Sequence, residues 1–269
     1  IKSGIVIEKK KVGFLPGYYF DGKIDFEYDN KNFEGIDRFR EVEFNRDWSY
    51  SSNQDSIIAS DKIVNAEASF RKNGANFLKS KVSRRIRSGI INGWQGQVEG
   101  RLEKKWIAVS GEFFLMNNHN HYYFSDWMRY EIQSYLKSKF VYPGYSFRHD
   151  NNTIRPVYSD SIISTAMSFD EHTFFLRNND TLKTTFNASY SLRNDRLPRN
   201  GEMKDHNFSK TAIFSVGSST GHWGNIDFTM TYRQSEFPDD TLQDDQNSLL
   251  GRMDWFAQIL KNHVRSELT

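Results

Sequence analysis

Two segments that contain histidine have the residue types and spacing needed for metal binding or acid–base chemistry. His119 and His121 stand two residues apart, so on a strand both imidazoles would lie on one face, a spacing that can ligate zinc or copper. No third ligand is evident beside them, and we expect an exposed polar loop instead. His149, between Arg148 and Asp150, could belong to a hydrolytic site, but no nucleophile motif stands beside it. The histidines alone therefore do not predict an active site.

A second candidate for metal binding is an acidic segment. Asp239-Asp240 and Asp244-Asp245 flank Gln243 and could bind calcium, but the segment lacks the glycine-bearing ligand spacing of an EF-hand, so we expect a solvated acidic loop. The chain also has no Gly-x-Ser-x-Gly elbow, phosphate-binding glycine loop or His-Glu-x-x-His segment. These observations predict a protein that is not an enzyme and that holds neither a metal nor a cofactor.

The elements that would position these residues are strands, as residues 182–193 illustrate. Apolar and polar side chains alternate along this segment, which is the two-residue period of a strand between unlike solvents. At about 3.3 Å per residue it would be roughly 35 Å long, and tilted by about 45° it would cross roughly 25 Å, the height of the apolar band on an outer-membrane barrel. One face carries Leu182, Thr184, Phe186, Ala188, Tyr190 and Leu192, and the other carries Lys183, Thr185, Asn187, Ser189, Ser191 and Arg193.

The same alternation recurs from about residue 62 to the end of the chain and predicts about a dozen strands. Its apolar positions fall within 64–70, 78–86, 94–102, 107–115, 128–132, 140–147, 162–176, 212–216, 226–232, 253–259 and 264–268. The first sixty residues are less regular: the sequence predicts a hairpin around Asp21-Gly22, and 40–45 could be a further strand. We therefore divide the chain into 1–62, N-terminal strands or a periplasmic or plug element, and 63–269, the strands of a barrel.

The predicted connections between these strands differ in length in a regular way. Short ones fall near residues 74, 104, 138, 179, 220 and 261, and longer ones fall near 90, 120, 154, 200 and 240, notably 194–207 and 234–247. A soluble sandwich has no reason to keep its long loops at one end, whereas outer-membrane barrels combine short periplasmic turns with long extracellular loops. The pattern favours an all-β, antiparallel up-and-down transmembrane β-barrel of about 12 or more strands over a soluble sandwich or a large curved sheet.

Composition excludes several other classes of protein. A net charge of +2 gives no reason to expect a nucleic-acid partner, and the absence of cysteine excludes disulfides and thiolate metal sites. No run approaches the roughly 20 apolar residues of a membrane helix. A mean hydropathy of -0.71 is compatible with a barrel, because only every second residue would meet lipid. Because the chain starts at Ile1 without methionine and ends at Thr269 in an apparent strand, we expect a processed chain or a fragment.

In a barrel, the alternation assigns a place to each candidate side chain. The residues predicted to face lipid are Phe186, Tyr190, Phe228 and Met230, and those predicted for an interfacial aromatic girdle are Trp94, Trp106, Tyr122, Tyr123 and Trp127. A basic row would line the lumen and either favour anions or pair with Glu99, Glu103 and Glu131 on neighbouring strands; it consists of Lys79, Lys81, Arg85 and Arg87. Arg84 would point outward, where it could contact lipopolysaccharide phosphate.

The alternating strands from Val64 onward, the Asn/Asp/Gly turns and the aromatic strand ends resemble outer-membrane β-barrel proteins. The richness in Asn, Lys, Tyr and Phe, with segments such as RFREVEFNRDW at 38–48, is similar to large barrels of the Bacteroidota. The chain departs from the pattern in lacking a C-terminal aromatic insertion signal, and Thr269 would leave an unpaired strand edge, so more barrel could follow.

The resemblance implies a location in the bacterial outer membrane, with membrane lipid and lipopolysaccharide as partners. It also implies a non-enzymatic role as a porin-like channel, a scaffold or a subunit of an envelope machine for protein secretion or assembly, in which other envelope subunits would be partners. Two alternatives remain open from the sequence. One is a soluble or surface β-sheet module that binds glycan or protein through the aromatic residues at 122–127, and the other is an outer-membrane hydrolase.

Overall fold

Fourteen antiparallel strands form one sheet, in which each strand pairs with the strands next to it in sequence. The computed structural model describes residues 2–11, 17–29, 60–72, 76–87, 91–163, 166–178, 183–219, 224–238, 245–259 and 262–268. These residues contain no helix, and hence none that is long and apolar enough to cross a membrane. The strand order confirms the predicted all-β, up-and-down architecture of a dozen or more strands.

The strands are longer than is usual in soluble sheets, and several exceed twelve residues. They are β1 (Lys2–Lys11), β2 (Tyr19–Asp29), β3 (Asp61–Lys72), β4 (Asn76–Arg87), β5 (Ile91–Glu103), β6 (Ile107–His119), β7 (Tyr123–Leu136), β8 (Val141–Pro156), β9 (Met167–Asn178), β10 (Thr184–Arg199), β11 (Glu202–Ser219), β12 (Asn225–Glu236), β13 (Gln246–Ile259) and β14 (Asn262–Leu268). Within the described residues β1 and β14 do not pair with each other, so the sheet has a barrel-like order but is not closed.

The predicted hairpin at Asp21-Gly22 is wrong, because this dipeptide lies inside β2. Packing explains Gly22: a Cβ added to it would lie 3.1 Å from Cζ of Phe20, whose ring lies tilted against that of Phe70 on β3, with centroids 5.0 Å apart. A glycine inside a strand often marks such a close approach. The segment 40–45, which the sequence suggests as a further strand, lies outside the described residues.

The predicted regular alternation of short and long connections is only partly confirmed. Long segments separate β2 from β3, β8 from β9, and β12 from β13, all at one end of the sheet. At the same end, however, β4 and β5, and β6 and β7, are joined by three residues each, at 88–90 and 120–122. His119 is accordingly the last residue of β6 rather than part of a long loop.

The predicted long loop at 194–207 is also wrong, because β10 and β11 continue past the apolar part of the sheet as a polar hairpin. Asn200 and Gly201, both with positive φ, form its two-residue turn. Cross-strand bonds hold the extension together, since Asp205 accepts hydrogen bonds from Asn194 Nδ2 at 2.9 Å and from Arg196 Nε at 3.2 Å. Polar composition alone suggested a loop, whereas these pairs make the same residues a stable ladder.

The two faces of the sheet differ in composition and in burial. The apolar face carries exposed large side chains on most strands, including Val98, Phe113, Ile132, Tyr190 and Phe228. The polar face carries most of the buried residues, among them Ser69, Ser83, Arg85, Met116, Asn118, Ser125, Asp150, Phe169, Ser209 and Ser235. Among the described strands, all extensive contacts join neighbours in the sheet, so none of these strands forms a second layer over this face.

The apolar residues form a belt that crosses the hydrogen-bonded rungs obliquely. On β5 the belt is centred on Val98, whose rung runs through Phe113, Tyr130, His149 and Asp170 to Asn194 on β10. The apolar residues of β10 lie at 186–192, so over five strands the belt has moved about five residues relative to the rung. Five residues correspond to roughly 17 Å along the strands, and five strand spacings correspond to about 24 Å across them. The strands are therefore tilted by about 35° from the line perpendicular to the belt.

Packing on the polar face makes one glycine sensitive to substitution. A Cβ at Gly144 would overlap Cζ of the Phe175 ring and lie 2.7 Å from the Ser134 carbonyl oxygen, so we expect Gly144→Ala to destabilise the protein by about 1–3 kcal/mol. Denaturant unfolding in a suitable detergent measures this cost. The control is Gly251→Ala, because nothing lies within 4 Å of its Cβ. Equal costs for the two variants would contradict the assigned register.

Candidate functional site

The candidate site is the polar face, where charged side chains meet across strands. The first part of it is the predicted basic row of β4, whose members Lys79, Lys81, Arg85 and Arg87 all lie on this face. Arg85 is 2% exposed, and its Nη2 and Nε donate to Asp61 at 2.7 and 3.1 Å. Lys79 Nζ lies 3.2 Å from Glu67 and 4.0 Å from Glu99. These two cations are therefore held by carboxylates of neighbouring strands.

Of the three glutamates predicted to pair with the basic row, only Glu99 lies near one of its members. Glu103 instead pairs with Lys137 of the β7–β8 turn and with Arg101, whose Nη2 lies 2.7 Å from Glu103 Oε2. Glu131 stands opposite Glu112, which itself stands opposite Glu99. Three carboxylates thus occupy one rung, and the charge of Glu112 is balanced by Arg129 of the next strand at 2.8 Å.

An arginine and two aromatic rings follow on β6 and β7. The Arg129 guanidinium lies over the rings of Phe114 and Trp127, with its carbon 5.6 and 5.7 Å from their centroids. Those rings meet edge to face at 5.0 Å. Trp127 Nε1 then donates a 2.8 Å hydrogen bond to the buried carboxylate of Asp150 on β8. Each polar group here is fixed by a partner on the adjacent strand, so the cluster is rigid.

The pattern continues on β8 to β10 around Phe169, which is 3% exposed. Arg148 and Arg193 lie over this ring, with guanidinium carbons 5.1 and 3.8 Å from its centroid. Arg193 also bonds Asp195 at 2.8 Å, while Arg148 Nη2 lies 3.9 Å from Asp150. Three arginines on successive parts of the sheet thus each combine a carboxylate with an aromatic ring. We call Arg129, Arg148 and Arg193 with Phe114, Trp127 and Phe169 the arginine–aromatic array.

The array has the side chains needed to bind planar or anionic groups, although the charges of its arginines are largely balanced by nearby carboxylates. Arginine presents a planar fork of donors that suits carboxylates and phosphates, and its stacking on rings leaves the donor edges directed sideways. Because each cation has a carboxylate nearby, the electrostatic effect is local and does not extend along the whole face. The sequence showed the arginines but not the array, since its partners are brought together by strand register over gaps of tens of residues.

The predicted lipid-facing and interfacial residues divide between the two faces. Tyr190, Phe228 and Met230 are 42%, 37% and 41% exposed on the apolar face, and Phe186 lies on the same face, half-buried. Trp94 lies on this face near one end, and the exposed Trp106 lies in the turn at the opposite end.

The other members of the predicted girdle lie elsewhere. Tyr122 is exposed in the turn between β6 and β7, and Tyr123 opens β7. Trp127, in contrast, lies on the polar face inside the array, which separates it from Trp94. Two-residue alternation already places Trp127 on the other face of the strand from Met128 and Tyr130, so the sequence itself indicated that Trp127 does not lie on the apolar face.

The hydrolytic candidate is arranged differently from the sequence expectation. His149 and Asp150 face opposite sides of β8, and His149 Nδ1 pairs with Asp170 Oδ1 at 2.6 Å on the apolar side, beyond the belt. Arg196 Nη2 also donates to Asp170, at 2.7 Å, so this carboxylate is shared between an imidazole and a guanidinium. No hydroxyl bonds the buried Nε2 of His149 among the described residues.

The metal candidates gain no support. Among the described residues no group of three or more His, Asp or Glu side chains could hold a metal ion. The His119 ring stacks on Phe124 with centroids 4.4 Å apart, and His121 meets Tyr122 edge to face at 6.0 Å. Asp239, Asp240 and Asp244 lie outside the described residues.

No family model, curated protein or solved structure matches this chain.

Proposed function

We propose that this chain forms the wall of a bacterial outer-membrane β-barrel, in the style of the large Bacteroidota barrels, with a non-enzymatic role. The observation that supports the proposal most strongly is the inverted burial of the sheet. Large apolar side chains are exposed on one face, while serine, asparagine, aspartate and arginine side chains are buried on the other. A protein that folds in water buries its apolar residues, so this arrangement suits lipid outside and a polar interior.

The slope of the belt gives independent support. If the belt is level in a membrane, the strands lean by about 35°, which is within the range for membrane barrels. Strand lengths agree, because a span needs about 9–11 residues, and β5 to β13 supply at least twelve each. Exposed aromatic residues near both ends of the belt, among them Trp94 and Trp106, would lie at the two interfaces.

The polar face would then line the interior, and its contacts favour a channel, scaffold or export subunit. Many of its charges are paired across strands, so it offers a wall lined by the arginine–aromatic array and by the paired cations Lys79 and Arg85 of β4. Other envelope subunits would be its protein partners. On the outside, Arg84 lies in the same rung as Trp94 and would reach the level of lipid headgroups, where lipopolysaccharide phosphate is the matching anion.

Cell fractionation with heat-dependent gel mobility tests the proposal. We expect the protein in the envelope fraction, released only by detergent, with a folded form that runs ahead of the boiled form in a gel. The mobility shift arises because a barrel keeps its compact shape in detergent until it is heated. A protein free in the soluble fraction whose mobility ignores boiling would contradict the proposal and favour the alternative of a soluble or surface β-sheet module.

A further inference from the structure

A cleft on the polar face lies outside the arginine–aromatic array. It has a volume of about 560 Å³ and lies over β11, β12 and the start of β13, at the end of the sheet that has the long connections. This volume is within the range of small-molecule sites. Its lining consists of Asn207, Arg233, Ser235, Phe237, Asp245, Gln246, Asn247 and Ser248.

One side chain of the lining has a polar atom that the protein does not use. Asn207 is 8% exposed, its Nδ2 donates to Asp195 at 3.4 Å, and its Oδ1 is buried without a hydrogen-bond partner among the described residues. A buried acceptor costs stability unless something donates to it. The amide of Asn207 therefore leaves an unused acceptor beneath the wall of the cleft, and a ligand donor would satisfy it once the side chain turns toward the cleft.

The other side chains indicate the class of that ligand. Arg233 has no carboxylate partner within the described residues and can donate, Asp245 can accept, and the amide of Gln246 can do both. Phe237 adds an aromatic surface, which His206 holds from the side with ring centroids 5.8 Å apart. A phosphate or sulfate would use only the donors and would be repelled by Asp245.

We propose that this cleft binds a saccharide unit of a glycan. A sugar ring offers what the lining requires: hydroxyl groups that both donate and accept, and a C–H face that packs on an aromatic ring. The proposal goes beyond the barrel function and does not depend on it, because the cleft is formed by three adjacent strands of the sheet. In a barrel wall the same cleft would lie just inside the mouth that has the long connections.

Isothermal titration calorimetry with the full chain in detergent tests the site. The probes are maltotriose, cellotriose, chitotriose and, as the competing class, inorganic phosphate. We expect at least one trisaccharide to bind and Phe237→Ala and Arg233→Gln each to weaken it by about tenfold or more, as loss of one good contact does. Both side chains are at least partly exposed, so the variants should fold, and Phe140→Ala, in the turn at the other end, is the matched control.

Three outcomes would overturn the proposal. They are no binding of any trisaccharide at millimolar concentration, binding that survives both substitutions, and binding of phosphate alone. Gel mobility of each variant before and after boiling is recorded in parallel. If the protein binds a trisaccharide but is not found in the envelope, the saccharide site is supported and the barrel function is contradicted. If it is found in the envelope but binds no trisaccharide, the barrel function is supported and the saccharide site is contradicted.

Discussion

Phe228→Arg is expected to lower the free energy of unfolding by about 2–4 kcal/mol in lipid vesicles, because it places a charge at the middle of the apolar belt. Phe228 is 37% exposed on the apolar face, between Val216 and Met253 on the neighbouring strands. In water such a half-exposed site would tolerate arginine at a cost of about 0.5 kcal/mol or less. The size of the effect therefore depends on the solvent that meets this face. Unfolding by urea from vesicles, followed by gel mobility, measures it.

The control is Thr231→Arg, three residues further along β12, on the polar face. We expect it to leave the unfolding free energy nearly unchanged, since the polar face would meet water inside a barrel. If both substitutions cost the same, neither face is in contact with lipid, and the barrel interpretation loses its main support.

Asp61→Ala is expected to destabilise the protein by about 3–5 kcal/mol, because it removes the carboxylate from a buried ion pair. Three donor–acceptor contacts join Arg85 to Asp61. Because the side chain of Arg85 is only 3% exposed and that of Asp61 is 15% exposed, water could not readily replace the lost carboxylate. The loss would appear in equilibrium unfolding of the refolded protein in detergent.

Asp205→Ala is the matched control, since this carboxylate also bonds an arginine but is 59% exposed. We expect a cost of about 1 kcal/mol or less for it. The double variant Asp61→Leu with Arg85→Met should recover much of the loss, because replacement of a buried pair by apolar residues is often neutral or stabilising. A double variant as unstable as Asp61→Ala would show that the guanidinium has a further role at this position.

The sequence predicted the strands well where the alternation was strong, because the two-residue period is a property of each strand alone. It was misleading where polar residues form ladders. Asn194, Arg196 and Asp205 have the composition of a loop, and only their partners across the hairpin make them strand residues. Asp21-Gly22 has the composition of a turn, but Gly22 lies in a strand to admit the ring of Phe20.

The candidate site was harder to predict than the fold, for a related reason. Alternation gives the face of a side chain, so the common face of Lys79, Lys81, Arg85 and Arg87 followed from the sequence. It does not give the register between strands. Phe169 meets Arg193 only because Asp170 is paired with Asn194, and no local pattern states that pairing. The arginine–aromatic array and the cleft lined by Asn207, Arg233 and Phe237 could therefore be found only from the three-dimensional arrangement.

If the apolar belt lies in a membrane, as proposed, its limited height and the two-residue alternation together constrain the alignment of neighbouring strands twice. A slip by one residue turns each side chain to the wrong solvent, which alternation alone forbids. A slip by two residues keeps every side chain on its own face, yet it would displace that strand's oily segment by roughly 7 Å and push a ring such as Tyr190 toward water. In the proposed barrel such a slip is penalised as well, so only the register that follows the inclined belt keeps the apolar segments of all strands at one level.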